Sequence, residues 1–370
     1  MQESPIASHE IPGLEPLITV AIPHYKWPRH LAAVLGSLFE QRFADFEIVV
    51  SDDCSPDDSP HVIPPILSAS GRQFRYYRQA ANLGYDGNVR FCLSAARGRY
   101  VMLLGNDDAL AGPDTLNRIA EALRAMDYPE AAFTNFEEWA NPGIAVQRAV
   151  ATRVLGDGVS AAVRFYRSFS FVSGLLFDRE CAKRHDTDKW DRSVYYQIYL
   201  GARIASTGGR IASIAVSAIR KDVRIDGKTV VTYATRAQAA PRSFAARHTG
   251  LDNVIRVAAD ATLPYVQPGQ RSATLRKIIA QIFTITYPFW ILEYRRVSRW
   301  SLAVGVARSM LPGRLLREFP LNPLDRAYLI ALYWVVTLIA LVVPVQLFSS
   351  FRGRLGNLVR RRQQTVPASA

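Results

Sequence analysis

The chain has 370 residues, 49% hydrophobic and 21% charged, which suffices for a large core and two or three structural units. This composition excludes a disordered chain, a collagen-like fibre and a disulfide scaffold. Cys54, Cys92 and Cys181 are odd in number and widely spaced, with no CxxC or Cys/His cluster to hold zinc, and they fit a reducing compartment. The net charge of +13 is concentrated: residues 271–370 carry fourteen Arg and one Lys against Glu293, Glu318 and Asp325, or +12, leaving +1 for the first 270 residues. Charge held in one apolar segment does not point to nucleic acid as a partner.

Residues 1–15 form a tail with Glu3, Glu10 and Glu15, no Lys or Arg and no apolar stretch, so it does not read as a signal peptide and a cytoplasmic start is expected. Leu17–Pro23 is a β-branched run, followed by Leu31, Val34, Leu35, Leu38 and Phe39 at helical spacing over Arg29–Gln41. Phe46–Ser51 reads as a second strand, Asp52–Pro60 as a turn and Phe74–Arg78 as a third strand. Asp86–Ala96 is helical, Tyr100–Leu104 is a fourth strand, and Pro113 opens a helix through Met126. Strands alternating with helices predict a doubly wound α/β unit with a mostly parallel sheet, whose ligand site lies beyond the carboxyl ends of the strands.

Two of those ends carry acids, Asp52-Asp53 and Asp107-Asp108, and there is no GxGxxG after the first strand and no GxxxxGK[ST]. Acids at two strand ends suit ribose or base recognition on one side and a hard divalent cation on the other. The alternative is that each pair only caps a turn or helix.

At family-like spacing stand ITVAIPH from Ile18 with Tyr25, IVVSDDCSPDDS from Ile48, NLGYDGN from Asn82 and GRYVMLLGNDDAL from Gly98. With these motifs the chain resembles family 2 glycosyltransferases of the GT-A fold over about residues 16–215, and within them the bacterial branch that builds O-antigen and other surface polysaccharides, abequosyltransferase-like enzymes included. The resemblance implies a nucleotide-sugar donor, a divalent cation (Mg2+ or Mn2+) and inverting transfer of one sugar to a hydroxyl. It places Pro23 and Tyr25 at the nucleobase, Asp52, Asp53 and Ser55 at base and ribose, Asn82 and Gly84 beside the nucleotide, and Asn106 in the donor site. Asp107 falls on the last acid of the DxD element and meets the metal, with Asp108 as a second metal-side carboxylate.

Two positions depart from the family pattern. Gly105 stands where many members have the first Asp of DxD. The family's catalytic base comes from a Glu-Asp pair about a dozen residues before a strand start like Gly208-Gly209-Arg210-Ile211, and Tyr196-Gln197 occupy those positions here. Gln197 cannot accept a proton usefully, so the base is expected from Asp191, ahead of Asp188 and Asp186, with His185 as a further candidate. Ser173-Gly174 lies beside the acceptor or marks a strand end. Arg220, Lys221 and Arg224 reach phosphates or form a solvated basic loop.

Residues 216–270 read as an acceptor-side connecting segment and 271–370 as a helical membrane-associating region. Ala327–Phe348 is twenty-two residues without charge, about 33 Å as a helix. Ile278–Leu292 is fifteen, about 22 Å. Arg295, Arg296, Arg299, Arg308, Arg314, Arg317 and Arg326 on one side and Arg352, Arg354, Arg360, Arg361 and Arg362 on the other flank the longer run with basic charge at both ends. That pattern predicts helices attached to one leaflet, with Pro288 and Pro344 as bends, on an anionic lipid surface at the cytoplasmic face of the inner membrane. The expected acceptor is therefore a polyprenyl-diphosphate-linked saccharide. The alternatives are a soluble acceptor, with residues 271–370 forming a homo-oligomer, and a non-catalytic sugar-nucleotide-binding subunit of a polysaccharide assembly.

Overall fold

The first strands follow directly from the apolar runs. β1 is Ala7–His9, β2 Ile18–His24, β3 Phe46–Asp52, β4 Phe74–Arg78 and β5 Tyr100–Leu103. The sheet continues through β6 Ala109–Leu110, β7 Ala131–Glu138, β8 Ala145–Val146, β9 Arg153–Gly156, β10 Leu175–Asp178 and β11 Ile211–Lys221. The computed structural model describes residues 4–13, 15–139, 145–226, 228–229, 250–296 and 298–346, so Arg352, Arg354, Arg360, Arg361 and Arg362 lie outside the described residues. Eleven strands make one sheet in the order β1-β4-β3-β2-β5-β10-β7-β11-β6, with β8 on β7 and β9 on β11. β2 to β5 pair in parallel, as do β7 and β11. All seven residues of β3 are buried, as a parallel strand covered by helices on both faces requires.

Each element expected over the first 130 residues is present with ends shifted by at most two positions. α1 (Pro28–Phe39) starts at a proline after Trp27, which holds a left-handed φ of 70°. α3 is Gly84–Ala95 and α4 Thr115–Ala125. One helix was not expected: α2 covers Ser59–Ser68 with Pro64 and Pro65 inside it, residues that remove two amide donors and usually break a helix. The apolar run Phe169–Val172 is not a strand. Tyr166–Phe169 is a 3-10 turn after α5 (Gly158–Phe165), and Ser173-Gly174 precedes β10. β10 inserts antiparallel between β5 and β7, so that Leu175 faces both Leu103 and Phe133.

The sheet separates two cores. On one face α1, α2 and α4 cover β2, β3 and β5 through Leu31, Leu35, Ile63, Ile119 and Leu123. On the other, α3, α5, α6 (Arg179–Arg184) and α7 (Tyr196–Ser206) pack with α8 (Leu251–Thr262) and the helices beyond it in one continuous cluster. The Ile278–Leu292 run becomes the end of α9 (Arg271–Gln281), a π-turn at Ile282–Thr286 and most of α10 (Tyr287–Arg296). Its Ile278, Ile279, Ile282, Phe283, Tyr287 and Ile291 are buried in the protein's own core. Phe283, Tyr287 and Tyr333 form an aromatic trio with ring centroids 5.6 to 5.9 Å apart. The Tyr333 hydroxyl donates to the Ala307 carbonyl at 2.7 Å, tying in α11 (Trp300–Ser309), and that of Tyr166 donates to Ile278 at 3.0 Å.

After α12 (Pro312–Leu315), α13 runs from Pro323 to Val342, is long and apolar enough to cross a membrane, and ends before Pro344. Its buried stripe is Asp325, Leu329, Tyr333, Thr337 and Ala340, with Leu332, Val336 and Leu341 partly buried beside it. The opposite side is apolar and exposed: Leu324 is 83%, Trp334 57%, Leu338 66% and Val342 68% accessible. Removing the Tyr333 side chain should cost about 3–5 kcal/mol, the usual penalty for a buried aromatic. Because the helices share their core with the sheet, calorimetry of Tyr333→Ala should show one transition moved down, not a separate small transition lost.

Candidate active site at the carboxyl edge of the sheet

At the carboxyl ends of β2, β3 and β5 the chain presents His24–Trp27, Asp52–Ser55 and Leu104–Asp108. Asp52 is fully buried: Tyr76 donates its hydroxyl to Oδ2 at 2.7 Å and the Ser55 amide donates to Oδ1 at 2.9 Å. Asp53 takes the Leu83 and Gly84 amides on Oδ1 and Oδ2 at 2.6 and 3.0 Å, groups at a helix start that have no acceptor inside the helix. Burial raises the Asp53 pKa above the ordinary carboxylate value, against the pull of those two amides. Asn82 donates Nδ2 to the Asp53 carbonyl at 3.0 Å. Gly84 holds a φ of +76°, a conformation that strains any residue with a Cβ.

Pro23 lies opposite Ser51 in the β2–β3 register, and Tyr25 beyond it is 42% exposed. Ser55 accepts the Lys26 amide at 2.9 Å. His24 is buried between Ser59 Oγ, 2.9 Å from Nε2, and Asn106 Nδ2, 3.0 Å from Nδ1. The Asn106 amide nitrogen also donates to the Lys26 carbonyl at 3.2 Å, and a carbonyl can only accept. Asn106 therefore donates to His24 Nδ1, and Nε2 carries the imidazole proton. Burial lowers His24 to about 4, which leaves it neutral near pH 7. Lys26 and Trp27 both take positive φ, 61° and 70°. Such strain, about 1–3 kcal/mol per residue, persists only where surroundings impose it, and here the Trp27 amide donates to Asp57 Oδ2 at 2.9 Å.

The two acids that follow β5 are unequal. Asp108 is buried, with Ser173 Oγ donating to Oδ2 at 2.5 Å and the Asp222 amide to Oδ1 at 3.0 Å. Burial first, and then Asp107, raise its pKa to about 8. Both of its oxygens are engaged by the chain, so it braces the edge. Gly105 donates its amide to Ser173 Oγ at 2.9 Å, and a Cβ at 105 would sit 3.0 Å from Asp107 Oδ1, 3.2 Å from Asp108 Oδ2 and 3.2 Å from Ser173 Oγ. The missing Asp at this position is thus a packing solution: its volume is occupied by three other side chains. Among the described residues no group of three His, Cys, Asp or Glu has metal-binding geometry. One carboxylate at Asp107 fits a cation shared with a diphosphate, the way Mg2+ commonly binds, rather than a cage made by protein alone.

In the loop before α7, Asp191 Oδ2 and Asp186 accept from Arg90 of α3 at 2.9 and 2.8 Å. Asp191 Oδ1 is buried without a hydrogen bond, and burial raises this carboxyl although Arg90 opposes the shift. Asp188 is exposed. His185 stands apart: its Nε2 lies 3.1 Å from Oγ1 of Thr207, the residue that ends α7, whereas the edge meets the start of that helix. Gln197 is buried with Oε1 unpartnered. Arg220 pairs with Glu137 and Lys221 with Asp222, which ties the basic residues after β11 to the sheet.

Residues 19–134 match the family described as Glycosyl transferase family 2. They are a family 2 glycosyl transferase domain. Two relatives of this domain are the abequosyltransferase RfbV of Salmonella typhimurium, 36% identical over 97 residues, and the GalNAc(5)-diNAcBac-PP-undecaprenol beta-1,3-glucosyltransferase of Campylobacter jejuni, 33% identical over 95. Each alignment takes in 26% of this chain and 29% or 31% of the relative, so the chain spans about a third of the length of the curated relatives it matches. Staphylococcus aureus TarS 1-349 in complex with UDP-GlcNAc has the same fold, with a TM-score of 0.56 and 17% identity over 87% of this chain and 90% of that one. So does mannosyltransferase PcManGT of Pyrobaculum calidifontis in complex with GDP-Man and Mn2+, at 0.50 and 17% over 92% and 91%. The GT-A-like fold is therefore established.

Two residues of the family 2 domain carry more than their motif revealed. Asp86, inside NLGYDGN, is buried and accepts the Val194 and Tyr196 amides on its two oxygens at 2.7 and 3.1 Å. With Arg90 four residues on, one face of α3 holds the whole loop before α7. The i, i+4 spacing of an acid and a base on a helix following a donor motif was the available signal. Asp86→Asn keeps the shape but leaves one buried amide facing an NH2 group. It should cost about 1.5–3 kcal/mol and, by shifting the Asp191 loop, lower transfer by about 10²-fold, with nucleotide-sugar affinity by calorimetry unchanged.

Proposed function

We propose that this chain transfers a sugar, with inversion, from a nucleotide-sugar donor to a saccharide carried on a polyprenyl diphosphate, in the assembly of a bacterial surface polysaccharide. The observation that carries this reading is the pairing of an acid-lined donor edge with a helix whose exposed side is wholly apolar. A lipid-linked acceptor is supported by the printed name of the Campylobacter relative, and a nucleotide-sugar donor by the complexes of the two structural neighbours.

In this mechanism Asp53, Asn82 and Gly84 shape the wall for base and ribose, with Pro23 and Tyr25 at the base and Asp52 and Ser55 fixing the loop. A divalent cation, Mg2+ or Mn2+, supplies charge neutralisation to the leaving diphosphate when bound, and Asp107 would hold it. Asn106 fixes the loop on which Asp107 stands. Asp191 accepts the acceptor hydroxyl's proton as that oxygen bonds to the anomeric carbon, while the bond from that carbon to the diphosphate breaks on the opposite face. Its raised pKa suits a base, because a proton is held more strongly than by an ordinary carboxylate.

The chain attaches to one leaflet of the cytoplasmic face of the inner membrane. Ile278, Ile279, Ile282, Phe283, Tyr287 and Ile291 of the shorter apolar run are buried inside the protein, which leaves α13 lying along the surface with Leu324, Trp334, Leu338 and Val342 outward. Arg299, Arg308, Arg314 and Arg317 in the same segment supply positive charge for anionic lipid.

Thermal-shift screening against UDP-, GDP-, CDP- and dTDP-sugars, with and without manganese, tests the donor. No stabilisation by any of them would refute the reading. Asp191→Asn should abolish turnover while donor affinity holds. In the wild type, turnover should fall on the acid side at a pH above the usual carboxylate range, because only the ionised base accepts a proton. Leu338→Arg should weaken flotation with phosphatidylglycerol vesicles without lowering the melting temperature, since that side chain touches solvent and not the core.

A further inference from the structure

In the proposed mechanism base and ribose lie against Asp52–Ser55, and Asp107 marks the metal side. The donor's diphosphate therefore spans the gap between those two loops, and Lys26 bridges it. Its amide donates to Ser55 Oγ at 2.9 Å and its carbonyl accepts from Asn106 Nδ2 at 3.2 Å. Both backbone groups are thus held, one by each loop, while the side chain is exposed. Lys26 and Trp27 keep left-handed φ values of 61° and 70°, a strain that clusters at ligand clamps. A flexible four-carbon stem lets the ammonium reach toward either loop from this fixed root.

The chain offers this cation no acid. Nearby, Arg29 pairs with Asp226, Arg90 with Asp186 and Asp191, Arg220 with Glu137 and Lys221 with Asp222. Lys26 has no carboxylate partner among the described residues, and its ammonium lies over the Tyr25 ring, 4.9 Å from the centroid. An aromatic face at an exposed position is a weak hold, which a charged phosphate oxygen exceeds. The metal side shows why a fixed cation is needed. Gly105 stands in place of a carboxylate, and Asp108 spends both oxygens on Ser173 and the Asp222 amide. Asp107 remains to hold a divalent ion, while negative charge grows on the diphosphate as its bond to the anomeric carbon breaks. A cation already in place stabilises that state most.

We propose that the Lys26 ammonium leaves the Tyr25 ring to bind the donor's diphosphate, sharing with the divalent ion the charge of the leaving nucleoside diphosphate. The electron pair of the broken bond stays on the diphosphate oxygen, and Lys26 supplies charge without transferring a proton. The assignment rests on the nucleotide-sugar reading and adds the residue that recognises the diphosphate.

The test is calorimetric binding of UDP, GDP, CDP and dTDP to the full chain, with manganese and in EDTA. The monophosphate of the tightest nucleotide is the control. Lys26→Met keeps the stem and both backbone bonds, and its exposed position should leave the melting temperature unchanged. It should weaken the diphosphate about tenfold and the monophosphate much less. In EDTA the wild type should still prefer the diphosphate, and Lys26→Met should lose that preference. Lys26→Arg should keep most of the affinity. Lys183→Met removes an equal charge on α6, which follows β10 at the opposite edge of the sheet, where Asp178 faces Tyr100. It should change nothing. Undiminished diphosphate affinity in Lys26→Met overturns the proposal. An equal loss in Lys183→Met also overturns it, because the effect would then be one of net charge. If Lys26→Met loses farnesyl diphosphate but keeps the nucleotide, the cation serves the lipid-linked acceptor and the proposal falls. Absence of binding by all four nucleotides refutes the donor reading and the proposal with it, whereas tight binding untouched by Lys26→Met refutes the proposal alone.

Discussion

Asp108 is where three distant parts of the chain meet. Its carboxyl joins the end of β5 to Ser173, ahead of the reversed strand β10, and to the Asp222 amide at the end of β11. That junction adds side-chain bonds to the backbone ladders that hold β10 between β5 and β7. The requirement reaches further: Gly105 must be small for Ser173 and Asp108 to close on each other, and Gly174, at φ +78°, would drive a Cβ to 2.1 Å from Thr134 Oγ1. A buried carboxyl used in this way is costly to disturb, because removing it strands a hydroxyl and an amide together.

The same device recurs around the edge. Asp52, Asp53, Asp86 and Asp108 each accept at least one backbone amide, and most of those amides come from loops and helix starts that have no other acceptor. Loops that carry a ligand site must hold their shape without a hydrophobic core beneath them, and carboxyl oxygens that accept these amides supply that shape. α3 benefits most. Asp53 grips its start, and Asp86 and Arg90 on its face grip the loop before α7, so the loop after β3 and the loop before α7 are tied to one helix.

The C-terminal helices are part of this body as well. Ile278, Phe283 and Tyr287 pack in the same cluster as Phe169 and Phe177. The segment read from sequence as a membrane region is therefore divided: its first apolar run completes the protein interior, and α13 alone keeps an apolar side outward. α13 packs on this body through Leu329, Tyr333 and Ala340 of the same cluster.

Local pattern determined much of this protein. β-branched runs and helical spacing of Leu and Val placed the first elements within two positions, because a strand or an amphipathic helix needs only its own residues to declare its period. The acid pairs after the second and fourth strands marked the edge for the same reason: a parallel sheet sends its ligand to the carboxyl ends. α2 escaped because Pro64 and Pro65 argue against a helix, and only packing of Ile63 and Leu67 against the sheet overrides them. What only the tertiary structure decided is which acid faces where. Asp107 and Asp108 are adjacent and chemically alike, yet Asp108 is enclosed by Ser173 and the Asp222 amide, 65 and 114 residues away in the chain. His185 and Asp191 share one short stretch, yet they lie toward opposite ends of α7. Burial and hydrogen bonding depend on contacts between residues far apart in sequence, and no local period records them.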